Sequence, residues 1–331
     1  MKQVAIIGAG IAGLVCAREL KKFKYKVTLF EKSRSLGGRC ATRKWNSHIV
    51  DHGLQYFTLS NEEIHKNVKY LCYSRIGLLD KAIVDLQGAE WQPDEKKYYH
   101  LDGNNRIGKA LAQGLDIRME SPITTLQPIT SKWRVNDHSF DYVVSSVPFP
   151  QLNNFIPLEP SLQIRFEPCL TALFSYEGLP QNMSADIYGI IDTSNTSIIS
   201  WSACENHKTN RIPLDETVFV VHASEKFSRE YLETSSDAYL PHLQRELENT
   251  WQLSPTKQKN SFSHRWRFAR STDPYSLPNA QLPENFFVCG DSIVKSRFED
   301  VWLSGLQAAY LLIAKDQQTE IPFVDKQIIT T

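Results

Sequence analysis

The first thirty residues constrain the chain more than any other stretch. Val4-Ala5-Ile6-Ile7 is a short apolar run closed by Gly8, the signature of a strand buried on both faces. Ile11, Leu14, Val15, Ala17 and Leu20 then recur at helical spacing over 11–23, and Val27-Thr28-Leu29-Phe30 predicts a second buried strand. Strand, helix and strand in about 30 residues make a βαβ unit with parallel strands. Its first turn reads Gly8-Ala9-Gly10-Ile11-Ala12-Gly13, a G-x-G-x-x-G placed after a strand and opening a helix. Gly8 suits the tight turn, Gly10 lets a pyrophosphate approach the main chain, and Gly13 lets helix and strand pack closely. The amides of Ile11, Ala12 and Gly13 then face that phosphate at the positive end of the helix. Glu31 ends the second strand, where a carboxylate accepts both hydroxyls of a ribose and repels a 2′-phosphate.

Farther along, 62–73 predicts a helix, and Asp102-Gly103-Asn104-Asn105 a turn before a helix near Ile107. Ser121–Leu126, Trp133–Val135 and Tyr142–Val147 read as strands. The texture changes after 150. Strand-like runs at Leu170–Tyr176, Ile187–Ile191, Ile198–Ala203 and Val218–Ala223, with a helix over Leu240–Trp251, suggest a separate antiparallel sheet under helical cover. Phe286–Cys289 as a strand and Leu303–Ile313 as a helix complete the first domain. The expected organisation is a discontinuous nucleotide-binding domain of 1–70, 101–150 and 284–318, and a substrate domain of 71–100 and 151–283.

Composition excludes some classes. Lys plus Arg and Asp plus Glu are 37 each, so no excess charge draws the chain to nucleic acid or acidic membrane. No apolar run reaches the roughly 18 residues that span a bilayer, and the Met1 start leads straight into the first strand without a leader pattern. The six cysteines form no Cys-x-x-Cys pair, which suits reduced thiols in the cytoplasm. The nine histidines show no ligand spacing, so no metal is expected.

The next residues separate a flavin nucleotide from a nicotinamide one. Glu31-Lys32-Ser33-Arg34-Ser35-Leu36-Gly37-Gly38-Arg39 resembles the second signature of the flavoprotein family that holds amine oxidases, phytoene desaturases and protoporphyrinogen oxidases. That resemblance implies FAD, with Gly38 and Arg39 closing over its pyrophosphate and Lys32 among the cofactor-binding residues; no cysteine follows a Ser-Gly-Gly pattern in the C-terminal half, so a covalent link is not expected. A guanidinium fork pairs with phosphate oxygens, and glycine brings the main chain close. Asp51-His52-Gly53-Leu54-Gln55-Tyr56-Phe57 resembles the family segment that passes the isoalloxazine, which makes Gln55 and Tyr56 candidate ring contacts. Cys289-Gly290-Asp291-Ser292 resembles the strand end where the aspartate bonds the ribityl chain. Trp302, Leu303 and Ser304 fall where a helix N-terminus would face the N1–C2=O edge of the flavin. Ile123 falls where the family holds adenine through backbone groups. The implied fold is α/β, a Rossmann-like FAD-binding domain of the glutathione reductase and amine oxidase type, with an inserted α+β substrate domain on an antiparallel sheet.

Two runs narrow the resemblance. His264-Arg265-Trp266-Arg267-Phe268-Ala269 and the stretch from Gly290 to Gly305 are similar to renalases, although Phe298-Glu299-Asp300 departs from the Val-Glu-Gly of that family. The implied reaction is oxidation of a dihydronicotinamide that carries its hydride on the wrong ring carbon. The hydride goes to flavin N5, and O2 then accepts the electrons as H2O2. An electron-rich dihydropyridine needs no general base, so stacking and alignment do most of the work. His264, Trp266, Arg267 and Trp302 are candidates to line the substrate face, with Arg267 or Arg265 on a substrate phosphate. A flavin amine oxidase with a cage of Tyr56, Trp266 and Trp302, or a desaturase-type flavoprotein, stays open.

Overall fold

A computed structural model of the chain describes residues 1–46, 48–156, 164–180, 184–272 and 282–319. The chain forms two compact units, one of Met1–Cys40, Asn105–Phe166 and Arg270–Thr331, the other of Ala41–Asn104 and Glu167–Ala269.

The first unit is built on five parallel strands in the order Phe286–Val288, Tyr142–Ser145, Gln3–Ile7, Lys26–Phe30 and Asp116–Arg118. The fingerprint strand lies at the centre, and Val4, Ala5 and Ile6 are fully buried, as a strand covered on both faces requires. The first helix, Ile11–Lys22, packs along the last, Phe298–Gln317. A Cβ on Gly305 would stand 2.4 Å from the Ala12 carbonyl oxygen, so only glycine admits this approach. Polar ties fix the far end. Tyr25 and Tyr142 both donate to the Asp316 carboxylate, at 2.7 and 2.8 Å, and Tyr310 donates to Glu19 at 2.9 Å. A three-stranded antiparallel sheet, Leu126–Ile129, Lys132–Val135 and His138–Phe140, completes the unit.

The second unit centres on six strands in the order Gln258–Ser271, Phe166–Glu177, Glu216–Ala223, Ile199–Cys204, Ile187–Ile191 and Ala82–Asp85. The last pair is parallel, a departure from the all-antiparallel expectation, because Ala82–Asp85 arrives from a distant part of the chain. One face packs against the helix Ser236–Trp251 through Phe174, Phe219, Val221, Leu243, Leu247 and Trp251. The other carries Leu173, Val218 and Val220 beneath the hairpin Thr42–Trp45/His48–Asp51, whose Trp45 and Val50 fill that cluster. This packing places 41–70 with the second unit, where the sequence pattern grouped it with the first. In turn, Phe149 donates its amide to Ser292 Oγ and Leu152 is buried, which places 151–166 with the first unit.

One expected strand does not form. Of Ser121–Leu126, only Leu126 enters a ladder. Pro122 has no N–H, and Asn136 takes the place of a neighbouring strand. Its Oδ1 accepts from the amides of Thr124 and Thr125 at 2.8 and 3.2 Å, and its Nδ2 donates to the Pro122 carbonyl at 3.2 Å. Among the described residues no helix is long and apolar enough to cross a membrane.

Candidate cofactor and substrate sites

The first helix begins with no side-chain cap: Gly10 holds the N-cap position in extended geometry, φ −74° and ψ 176°. Its opening amides therefore remain available to an anion. A Cβ on Gly10 would meet nothing within 4 Å, whereas one on Gly13 would lie 2.3 Å from the Gly8 carbonyl oxygen and 2.7 Å from Ser146 Oγ. Gly10 thus borders open space and Gly13 a packed joint. Ile11 and Ala12 are buried behind that opening. Gly38 lies at φ +57° against Gly10, and the Gly37 amide donates to the Ala9 carbonyl at 2.9 Å, so the Gly-Gly-Arg loop sits directly on the fingerprint turn. A cradle with glycine-lined space and uncapped helix amides fits the pyrophosphate of a dinucleotide.

Glu31 is buried and braces this turn. One carboxylate oxygen accepts from the Ala9 amide at 2.8 Å, and the other from Ser33 N and Oγ at 2.8 and 2.6 Å. Arg39 and Asp291, read separately as phosphate and ribityl partners, meet as a two-pronged ion pair, Nη1 and Nη2 each 2.5 Å from a carboxylate oxygen. Ser296 Oγ donates to the same aspartate at 2.8 Å. The Gly290 amide donates to Ser304 Oγ at 2.9 Å, and that hydroxyl donates to the Val301 carbonyl at 2.7 Å. Ser304 therefore pins the strand end that carries Asp291. Lys32 is exposed and donates to Gln151 at 3.0 Å. Ile123 is half-buried in the segment held by Asn136.

The last helix starts at Phe298, five residues before Leu303. Its opening amides are those of Phe298, Glu299 and Asp300, not those of Trp302, Leu303 and Ser304, which lie one turn on. The acidic side chains of Glu299 and Asp300 in that first turn oppose the positive end. Burial, then Glu299, raises the Asp300 pKa against the pull of Arg297 and Lys295. Trp302 is buried, its ring 6.0 Å from that of Phe298.

The second unit holds a cluster of rings. His52, at the end of the hairpin, stacks on Trp266 at 5.6 Å with 24° between planes. His264 meets both, at 5.0 Å from His52 and 4.3 Å from Trp266. The Trp266 indole donates to the His52 carbonyl at 3.2 Å. Burial is the main reason the His52 pKa is held down to about 3, with His264 and Arg43 pushing the same way. Burial also lowers His264, with Arg43 second. Both rings are neutral near pH 7. Arg267 is set apart from them. Side chains alternate along the strand Gln258–Ser271, so Arg265 and Arg267 face away from His264 and Trp266. Arg265 donates to the Thr234 carbonyl at 2.8 Å, and the exposed Arg267 fork grips Glu233.

Beneath His52 lies a network with no counterpart in the sequence reading. Asp51, Glu205, Lys208 and Arg211 have fully buried side chains. Lys208 Nζ stands 3.0 Å from Asp51 and 2.7 Å from Glu205, and Arg211 Nη1 stands 2.5 and 3.0 Å from the same two. Burial alone would raise the Asp51 pKa. Lys208 and Arg211, with hydrogen bonds from Thr42 and the Asn104 amide, outweigh it and hold the carboxyl well below the usual range. Gln55 is tied inward, its Nε2 donating to the Asp51 carbonyl and its Oε1 accepting from Tyr188 at 3.4 Å. Asn104 donates to the Leu54 carbonyl at 2.8 Å. The network thus fixes 51–55 from below. Tyr56 leans on Trp201, ring centres 5.9 Å apart. Arg211, Lys208 and Glu205 are spaced three residues apart, a pattern as common on exposed turns as in buried networks, so the sequence carries no signal for them.

Comparisons with known proteins bear on the family and the fold. Residues 6–71 match the model of an NAD(P)-binding Rossmann-like domain, and 78–313 match that of the flavin containing amine oxidoreductases, which spans more than half of the chain. Mouse renalase (Mus musculus) is 23% identical over 168 residues, 46% of this chain and 48% of that protein. A 1-hydroxycarotenoid 3,4-desaturase of Flavobacterium sp. (strain P99-3) is 41% identical over 68 residues, 20% of this chain and 14% of that protein. The chain therefore spans about half or less of the length of these relatives. Among solved structures, reduced UDP-galactopyranose mutase superposes with a TM-score of 0.77 at 11% identity, over 100% of this chain and 98% of that one. Putrescine oxidase bound to putrescine does so with a TM-score of 0.72 at 12% identity, over 95% and 99%. These likenesses show the fold. The family match over 78–313 makes the chain a member of the flavin containing amine oxidoreductases.

Proposed function

We propose that the protein oxidises small dihydronicotinamides whose hydride sits on a ring carbon other than the usual one, returning them to the aromatic nicotinamide, with O2 as electron acceptor and H2O2 as product. The observation that carries this reading is the pairing of neutral His52 and His264 with the flat face of Trp266. A dihydropyridine is electron-rich and loses hydride without a base, so its site needs planar walls and alignment. Asp51, next to His52, is committed to Lys208 and Arg211 and offers no basic carboxylate.

FAD, when bound, supplies the two-electron acceptor. Gly10 and the amides of Ile11, Ala12 and Gly13 would hold its pyrophosphate, with Gly38 and Arg39 closing over it. Glu31 would keep the turn in shape and meet the ribose with its remaining lone pairs. Asp291, oriented by Arg39 and Ser296, would serve the ribityl chain. Trp266 and His264 would stack the substrate ring. The partial match to renalase supports this assignment. The six free cysteines suit a reducing, cytoplasmic setting.

Oxidation of a small amine is the second reading, favoured by the Tyr56–Trp201 ring pair as walls for a neutral amine. Oxygen uptake separates the two. The FAD-loaded protein should consume O2 and release equimolar peroxide with the 2- and 6-dihydro isomers of NAD(P)H. Uptake with putrescine-like amines and none with the isomers would refute the first reading.

A further inference from the structure

Arg43 stands on the inward side of its hairpin and yet carries an exposed charge. It pairs with Val50 across Thr42–Trp45/His48–Asp51, and Trp45, two residues on, shares its face. Trp45 and Val50 fill the apolar cluster beneath the hairpin, against which Phe262 also packs. The Arg43 guanidinium carbon lies 3.9 Å over the centre of the Phe262 ring. Stacking of this kind engages the flat face of a guanidinium and leaves its N–H edge free to bond. Among the described residues, that guanidinium has no hydrogen bond and no carboxylate partner.

Phe262 opens a row of rings. Side chains two apart on a strand share a face, so Phe262, His264 and Trp266 project from the same side of Gln258–Ser271, in steps of about 7 Å. Each of the three is half-buried, so part of each is open to solvent. His52 stacks on Trp266 at one end, and Arg43 covers Phe262 at the other. Burial lowers the His264 pKa, and the Arg43 charge adds to it, as expected of a cation close to that ring. Arg265 and Arg267 lie on the opposite side of the strand, held by the Thr234 carbonyl and by Glu233. The row thus has a neutral, flat end and a cationic end. A planar ring on Trp266 and His264 that bears an anion one sugar away would use both. A guanidinium fork matches the oxygens of a phosphate.

We propose that Arg43, seated on Phe262, anchors the 5′-phosphate of a nicotinamide nucleotide whose ring lies along His264 and Trp266. The inference rests on the dihydronicotinamide reading for the ring, and it narrows the substrate class to phosphorylated nucleotides. It gives Arg43 the phosphate role that the sequence pattern assigned to Arg265 or Arg267.

The test uses the FAD-loaded protein, so that the dinucleotide cradle is already filled, and three probes: nicotinamide riboside, its 5′-phosphate (nicotinamide mononucleotide) and inorganic phosphate. Calorimetry reads binding. The mononucleotide should bind at least about fivefold tighter than the riboside, the equivalent of about 1 kcal/mol, and inorganic phosphate more weakly than either. Arg43→Gln should bring mononucleotide and riboside to within about twofold by weakening the mononucleotide alone. Arg43→Lys, which keeps the charge but not the fork, should retain part of the preference. Arg267→Gln should leave the preference in place. Visible spectrum and melting temperature confirm that each variant is folded and flavin-loaded. Equal binding of the mononucleotide and the riboside by the unaltered protein overturns the anchor. So does a preference that survives Arg43→Gln, or inorganic phosphate that binds as tightly as the mononucleotide. The two readings fail separately. Turnover of the dihydronicotinamide isomers without an Arg43-dependent preference removes the anchor alone. An Arg43-dependent preference without such turnover removes the reaction alone.

Discussion

Burial acts on His52, His222 and His264 in one direction, lowering all three below the ordinary histidine value of about 6.5. The unfolded chain therefore binds protons that the folded chain refuses. Their stabilising effect is complete above about pH 6.5 and is lost as pH falls toward 4, at up to about 1.4 kcal/mol per group per pH unit. Urea unfolding at stepped pH should show the midpoint dropping over that window, with a shallower slope in His222→Leu. A midpoint that stays level would contradict the buried, neutral state of these rings. Asp51 adds a second step with the same sign: its carboxyl is held low, so its contribution is lost only as pH falls below about 4. At the fingerprint turn, two glycines separate folding from binding. Gly10→Ala places a methyl in open space, so the apoprotein should melt unchanged while FAD binding weakens by about tenfold or more, read by flavin fluorescence titration. Gly13→Ala drives a methyl into the Gly8 carbonyl and should destabilise the fold itself.

Among the elements, those with strong periodicity were legible and those set by remote partners were not. The strands Gln3–Ile7 and Lys26–Phe30 and the helix between them announce themselves through unbroken apolar runs and a 3.6-residue repeat. The segment 121–125 fails as a strand because Asn136, more than ten residues away, supplies its hydrogen bonds. Asn136→Ala should cost about 1–2 kcal/mol and speed hydrogen exchange at Thr124 and Thr125, leaving Leu126–Ile129 protected. Faster exchange throughout the Leu126–Ile129 ladder would mean that Asn136 supports the whole small sheet. The last helix starts earlier than its apolar pattern because Phe298, Glu299 and Asp300 extend it by more than a turn. Along Gln258–Ser271, the two-residue alternation that divides His264 and Trp266 from Arg265 and Arg267 was present in the sequence, once the stretch is known to be a strand.

For the molecule as a whole, the candidate cofactor residues of the first unit could be read from local motifs, since they cluster around the glycine turns of Gly8, Gly10, Gly13 and Gly38. The ring cluster of the second unit could not. Its rings come from 52, 264 and 266, and the charges beneath it from 51, 205, 208 and 211, residues far apart along the chain. Ser146, whose hydroxyl donates to the Ile7 and Gly8 carbonyls at 3.0 and 2.9 Å, is hidden for the same reason. Buried charges of both signs hold the 51–55 segment only while they balance. Lys208→Met should therefore destabilise the protein by about 3–5 kcal/mol in urea, through the uncompensated carboxylates, and a cost under about 1 kcal/mol would contradict a closed network. The most direct measurement mixes the oxidised, FAD-loaded protein with substrate in the absence of oxygen and follows the flavin absorbance near 450 nm, as expected for a flavin reduced by hydride. The 2- and 6-dihydro isomers of NAD(P)H should bleach it in a single rapid phase, with ordinary NADH and simple amines far slower. Bleaching by amines with none by the isomers would contradict the account.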